Sequence, residues 1–205
     1  MNNLDNLFYN ENTITLIKIA GEYCNLIEEC NNYSIRELLK KLLIYLPHLY
    51  HLGMIIPEIE ENSDNYNEKY VTEDIYNSIY NSLLMKFGQY DTFEGLYIEE
   101  NFQNTENTTM SISEFLSDIY QDLKNFIYLF QFGNEEVMYE ALWDLKINFE
   151  LYWGRRITEL MRPLHDLFFS DKELEEETFK KQNIERDTTN WFISRRQRDF
   201  KNGLN

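Results

Sequence analysis

Asp118 and Asp122 lie four residues apart in a stretch that reads as helix, so their carboxylates share one face. Glu114 extends the line by another turn. Carboxylates paired in this way suit Mg²⁺ or Mn²⁺, since hard cations take oxygen ligands. With Asp144 or Glu150 from the next helix they would form a metal-dependent phosphohydrolase site on a helical scaffold. The same spacing is ordinary on a solvated helix face, and acids near a helix start complement its dipole. The plainer role is the favoured one, and no metal or cofactor is expected. The histidines do not change this. The residues three before them are Tyr45, His48 and Arg162, so the Glu-x-x-His pairs of di-iron bundles are missing. His48 and His51 share a helix side at three-residue spacing, whereas helical zinc sites more often use four, and no further ligands are at hand. His165 and Asp166 are adjacent, pointing about 100° apart on a helix, and no serine or cysteine is spaced to complete a triad.

A second cluster gathers Trp143, Tyr152 and Trp153 with Arg155 and Arg156. Arginine stacks on aromatic faces, and Trp and Arg are common binding anchors, so Trp153, Arg155 and Arg156 are candidate interaction residues. The competing assignment is bundle core plus one internal salt bridge from an arginine to Asp118 or Asp122, and it is preferred. A third cluster closes the chain. Lys180, Lys181, Arg186, Arg195, Arg196, Arg198 and Lys201 stand against Glu185, Asp187 and Asp199, with Trp191, Phe192, Ile193 and Phe200 among them. A short amphipathic helix capped near Asp187 fits this pattern, with Trp191, Arg195 and Arg196 as its candidate contact residues. Such an arm could meet nucleic acid, a partner, a sister chain in a homodimer, or the protein's own acidic body.

The elements that position these groups read as helices. Thr13 is placed to cap a first helix running to about Cys30. Ser34 and Glu37 form a capping box for a second helix, which Pro47 should kink or break near Leu43 to Leu46. Thr72 caps a third helix that Gly88 ends. Residues 89–110 read as a long connection with a polar middle, its first half packed down through Tyr90, Phe93, Leu96 and Tyr97. Ser111 and Glu114 make a second capping box, opening a helix that Gly133 ends. The stretch Glu136 to Phe169 carries apolar residues on more than one stripe, which predicts a long post between other helices, antiparallel to its predecessor and disturbed late by Pro163. Asp171 to Lys181 reads as a charged helix. The division expected is a bundle over residues 1–181 and a basic arm over 182–205.

Composition sets the outer limits. The 205 residues include 15 Tyr, 14 Phe and 3 Trp but only 7 Gly and 3 Pro, enough apolar bulk for a core and too few turn formers for a sandwich or barrel. The net charge of −17 repels nucleic acid and anionic membranes and attracts basic partners. Cys24 and Cys30 would lie about 9 Å apart along one helix, too far for a disulfide, and read as reduced. No secretory signal or membrane span is visible, which makes the cytoplasm the expected compartment.

Residues 118–133, DIYQDLKNFIYLFQFG, and 141–169, ALWDLKINFELYWGRRITELMRPLHDLFF, resemble the signature segments of a bacterial domain-of-unknown-function family, numbered 5063. The similarity is tightest at Asp118 to Asp122, Trp143 and Tyr152 to Gly154, reaches loosely back to Ile14, and stops near Lys172. It implies an all-helical cytoplasmic protein and supplies no catalytic residues. Pro163 departs from the small helix former expected there. The chain is thus expected to be an all-α bundle of five to six helices with a basic arm. Its first functional reading is a non-catalytic protein-interaction or adaptor module with a protein partner. The alternative is a metal-dependent hydrolase on Asp118, Asp122 and Asp144 or Glu150. The weaker third is a nucleic-acid accessory protein acting through the arm.

Overall fold

The computed structural model describes residues 7–60, 69–98, 105–131, 133–170 and 174. The fold is all-α, with one small hairpin. Helix α1 spans Glu11–Glu28, α2 Ile35–Met54 and α3 Glu73–Phe87. Strands β1 (Thr92–Ile98) and β2 (Thr105–Ser111) follow, then α4 (Ile112–Phe130) and α5 (Glu135–Asn148). A π-helical turn, Phe149–Trp153, joins α5 to α6 (Gly154–Phe168) without a break. The expected post is therefore helical throughout, with one widened turn inside it. No helix among the described residues is long and apolar enough to cross a membrane.

The caps explain where the helices start. Ser34 and Glu37 form the full reciprocal box at α2. Thr72 caps α3, Asn134 caps α5, and Ser111 accepts from the Glu114 amide at α4. At α1 the cap is Asn10, not Thr13: its side chain accepts from the Thr13 amide at 2.9 Å. Thr13 is buried, and its hydroxyl donates to the Leu7 carbonyl at 2.9 Å. The break expected at Pro47 does not occur, and α2 continues to Met54. Leu42, Leu46, Leu49 and Leu52 are all buried on either side of it. Their packing outweighs the roughly 3 kcal/mol that an interior proline costs.

The hairpin corrects the expected loop. Phe93 pairs with Met110 and Gly95 with Thr108 in an antiparallel register. The hairpin is pinned to the bundle by Phe93, edge-on to Phe115 of α4 at 5.7 Å, and by Asp91 at its base. Asp91 is buried and accepts from the Ser113 amide at 2.8 Å and the hydroxyls of Ser111 and Ser113. A carboxylate at the positive end of α4 is favourable, and here it satisfies free backbone and hydroxyl donors as well.

Helix α4 has the longest buried face, with Leu116, Ile119 and Leu123 wholly covered. Tyr23 of α1 donates to the Leu116 carbonyl at 2.9 Å, and the Val71 amide before α3 donates to Asn125 at 2.8 Å. As expected, α4 and α5 are neighbours joined by a short turn, and Asp122, Leu129, Ala141 and Asn148 line one cleft between them. Helix α2 approaches the π turn closely. A Cβ on Gly53 would come within 2.5 Å of the Phe149 ring and 2.9 Å of the Trp153 ring. Both cysteines are buried free thiols, as the spacing implied.

Candidate functional site

The most buried helix carries a line of polar side chains. Asp118, Gln121, Asp122 and Asn125 stand at i, i+3, i+4 and i+7 on α4, so they share a face, and all four are buried. Buried polar groups cost stability unless they are partnered. At one end of this seam the partners are explicit. Asp118 accepts from the Tyr76 hydroxyl of α3 at 2.9 Å and from Arg156 Nε of α6 at 3.1 Å. The Arg156 guanidinium lies over the Phe115 ring, 3.9 Å from its centre, and reaches Glu159 at 3.4 Å. Helices α3 and α6 are thus both tied to α4 through one carboxylate. Burial pushes the Asp118 carboxyl up to about 7, with Arg156 opposing and Glu114 reinforcing the rise. Burial, followed by the nearby Asp118 charge, holds the Tyr76 hydroxyl well above its ordinary range.

The other end opens into a cleft of about 20 Å³ between α4 and α5, room for about one water. Its polar lining is Lys69, Asp122, Asn125, Asp144 and Asn148. One turn before Asp144, and one after Glu136, sits Glu140. It is 8 % exposed, and its Oε1 meets no hydrogen-bond donor. Burial raises its carboxyl, and the neighbouring charges of Asp144 and Glu136 raise it further. Residues 57–60 run beside this helix: the Tyr139 hydroxyl donates to the Glu60 carbonyl at 3.0 Å, and Glu58 meets Lys146 at 3.7 Å. The result is an acidic face on α5 whose inner member is a buried carboxylate.

The four acids considered for a metal site do not converge. Asp118 is engaged with Tyr76 and Arg156, Asp122 and Asp144 line the cleft, and Glu150 pairs with Lys146 at 3.4 Å. Among the described residues no three His, Cys, Asp or Glu side chains group closely enough to hold an ion. The internal salt bridge expected of an arginine is present, from Arg156 to Asp118. Trp153 is corrected from candidate surface to core: it is fully buried, and its indole donates to the Leu145 carbonyl at 3.1 Å. Arg155 is exposed. Trp191, Arg195 and Arg196 lie outside the described residues. His48 and His51 are exposed, His165 packs on Phe169, and Asp166 pairs with Arg162 rather than with His165.

Sequence reasoning missed Tyr76, Asp91 and Glu140. The last had a signal, since Glu136, Glu140 and Asp144 recur every four residues. Tyr76 had none, because its partner is 42 residues away.

The crystal structure of protein BF1032 from Bacteroides fragilis is similar to this chain, with 32% identity and a TM-score of 0.71 over 81% of this chain and 98% of that one. No curated protein matches. The family described as domain of unknown function 5063 matches residues 8–170, a span that includes the whole seam from Tyr76 to Arg156. The chain belongs to that family.

Proposed function

We propose that this protein is a non-catalytic interaction module that receives a basic protein segment on the acidic face of α5. The observation that carries this reading is Glu140, a nine-tenths buried carboxylate, with no donor at Oε1, set between two further acids. Such a group is costly in the isolated chain, and a guanidinium or ammonium seated on the neighbouring Glu136 and Asp144 would offset part of that cost through its field. The net charge of −17 supports a basic partner by steering it over a distance of about one Debye length. The test is calorimetry of the full chain with an arginine-rich peptide and with a glutamate-rich control. One-site binding of the arginine peptide alone, weakened about tenfold by Glu136→Gln with Glu140→Gln, is expected. No binding in any form of the chain would refute the module.

A second reading keeps one supporting observation. Asp122 and Asp144 share a cleft, so the hydrolase reading retains two of its four acids. One-site micromolar Mn²⁺ binding, abolished by Asp122→Ala, would promote it. The expected result is no stoichiometric divalent ion, because Asp118 and Glu150 are engaged elsewhere.

A further inference from the structure

We infer that the first occupant of the α5 acidic face is the protein's own C-terminal arm, residues 180–201, so that an outside partner must displace it. The inference rests on the interaction reading above and names the regulation of the same surface. Its first support is charge. Residues 180–201 hold seven bases and three acids, a net of +4, which leaves −21 on the rest of a −17 chain. The arm is therefore the one long basic stretch available to a strongly acidic body, and it is covalently tethered to that body.

The second support is the course of the chain. After α6 ends at Phe168, Leu174 still packs against the core. From Phe168 to Arg195 is 27 residues, which span at most about 90 Å when extended. The helical path from Phe168 back to Glu140 is 28 residues, or about 42 Å at 1.5 Å per residue. The arm reaches the acidic face with slack to spare.

The third support is chemical fit. The face offers Glu58, Glu60 and Glu136 as exposed carboxylates around the buried Glu140. The arm offers Arg195, Arg196 and Arg198 as planar donors, and arginine is suited to paired hydrogen bonds with a carboxylate. The arm also carries Trp191, Phe192, Ile193 and Phe200, apolar bulk that attraction to phosphate alone would not require.

Tethering sets the expected size of the effect. A linked segment acts at roughly millimolar effective concentration. An arm that binds at about 0.1 mM would then be about nine-tenths seated and would lower the affinity for an added basic peptide about tenfold. The experiment compares the full chain with its Arg195→Gln, Arg196→Gln, Arg198→Gln variant, titrating both with the arginine-rich peptide. The variant is expected to bind about ten times tighter. In parallel, a carbodiimide is used to join lysines to touching carboxylates in the unaltered chain. Links from Lys201, Lys180 or Lys181 to Glu58, Glu60, Glu136 or Asp144 should appear in the monomer and fade in molar salt. Equal peptide affinity in the two forms, or links found only between two chains, would overturn the arm as occupant while leaving the interaction reading standing. Failure of both forms to bind the peptide would remove the interaction reading itself.

Discussion

Replacing Asp118 with asparagine should change how stability depends on pH. The carboxyl has an ordinary value of 3.8 and in the fold is pushed up to about 7, chiefly by burial. A raised value means that the folded chain holds this proton more tightly than the unfolded chain does. Below 3.8 both states are protonated and nothing is lost. As pH rises from 3.8 towards 7, the unfolded chain releases the proton first, so stability falls by about 1.4 kcal/mol per pH unit. Above about 7 both states are charged and the loss levels off, at roughly 4 kcal/mol in total. Asparagine cannot titrate, so the difference between the two proteins isolates this one group from the many surface acids. Asparagine also keeps an oxygen for the Tyr76 hydroxyl but turns a donor towards Arg156 Nε, which adds a pH-independent penalty. The assay is equilibrium urea unfolding followed by circular dichroism at fixed ionic strength from pH 5 to 8. Across that range the native protein should lose about 3 kcal/mol relative to Asp118→Asn, most of it below pH 7. If the Arg156 pair controlled the carboxyl instead, the folded value would lie below 3.8. The difference would then stay flat from pH 5 to 8, and a change under about 0.5 kcal/mol would refute the reasoning.

Other expectations follow from the packing. Gly53→Ala should cost about 1–3 kcal/mol in urea unfolding, because its Cβ meets the Phe149 and Trp153 rings at 2.5 and 2.9 Å; a neutral result would show that α2 can back away from the π turn. Asp91→Ala should cost about 1–3 kcal/mol, since it strands the Ser113 amide and two hydroxyls at the head of α4, and amide exchange there should quicken. Cys24 and Cys30 are 1 % and 0 % exposed and burial raises both thiols, so a maleimide should label them only as fast as the chain unfolds. Labelling within seconds in native buffer would contradict the buried assignment.

The helices were legible because their apolar residues recur at helical spacing and their caps are local. The Ser34 and Glu37 box needs only four consecutive residues, and it forms as read. Asn10 and Thr13 are both residue types that suit a cap; what separates them is that the core buries Thr13, which is a tertiary fact. The hairpin was hidden by its polar middle. Thr92, Phe93, Thr108 and Thr109 are strand formers, but the pairing of Phe93 with Met110 spans seventeen residues and leaves no local mark. At the site, the line of Asp118 and Asp122 was readable, and so was a salt bridge to one of two arginines. Which arginine it would be was not readable, because the register depends on the π turn.

That turn has a consequence for what lengths of chain the family can tolerate. Leu145, Phe149, Trp153 and Ile157 are all buried at successive four-residue steps. In a regular helix each such step overshoots by about 40°, so three of them would carry Ile157 about 120° away from Leu145. The widened turn at Phe149–Trp153 absorbs that drift, as one inserted residue would. Removing one residue there should therefore restore an ordinary helix without rotating Arg156 away from Asp118. Leu151, half exposed, is the residue to remove. Single deletions elsewhere in α5 or α6 would swing everything beyond them by about 100°. Relatives that differ by one residue within this helix should place the gap between 149 and 153.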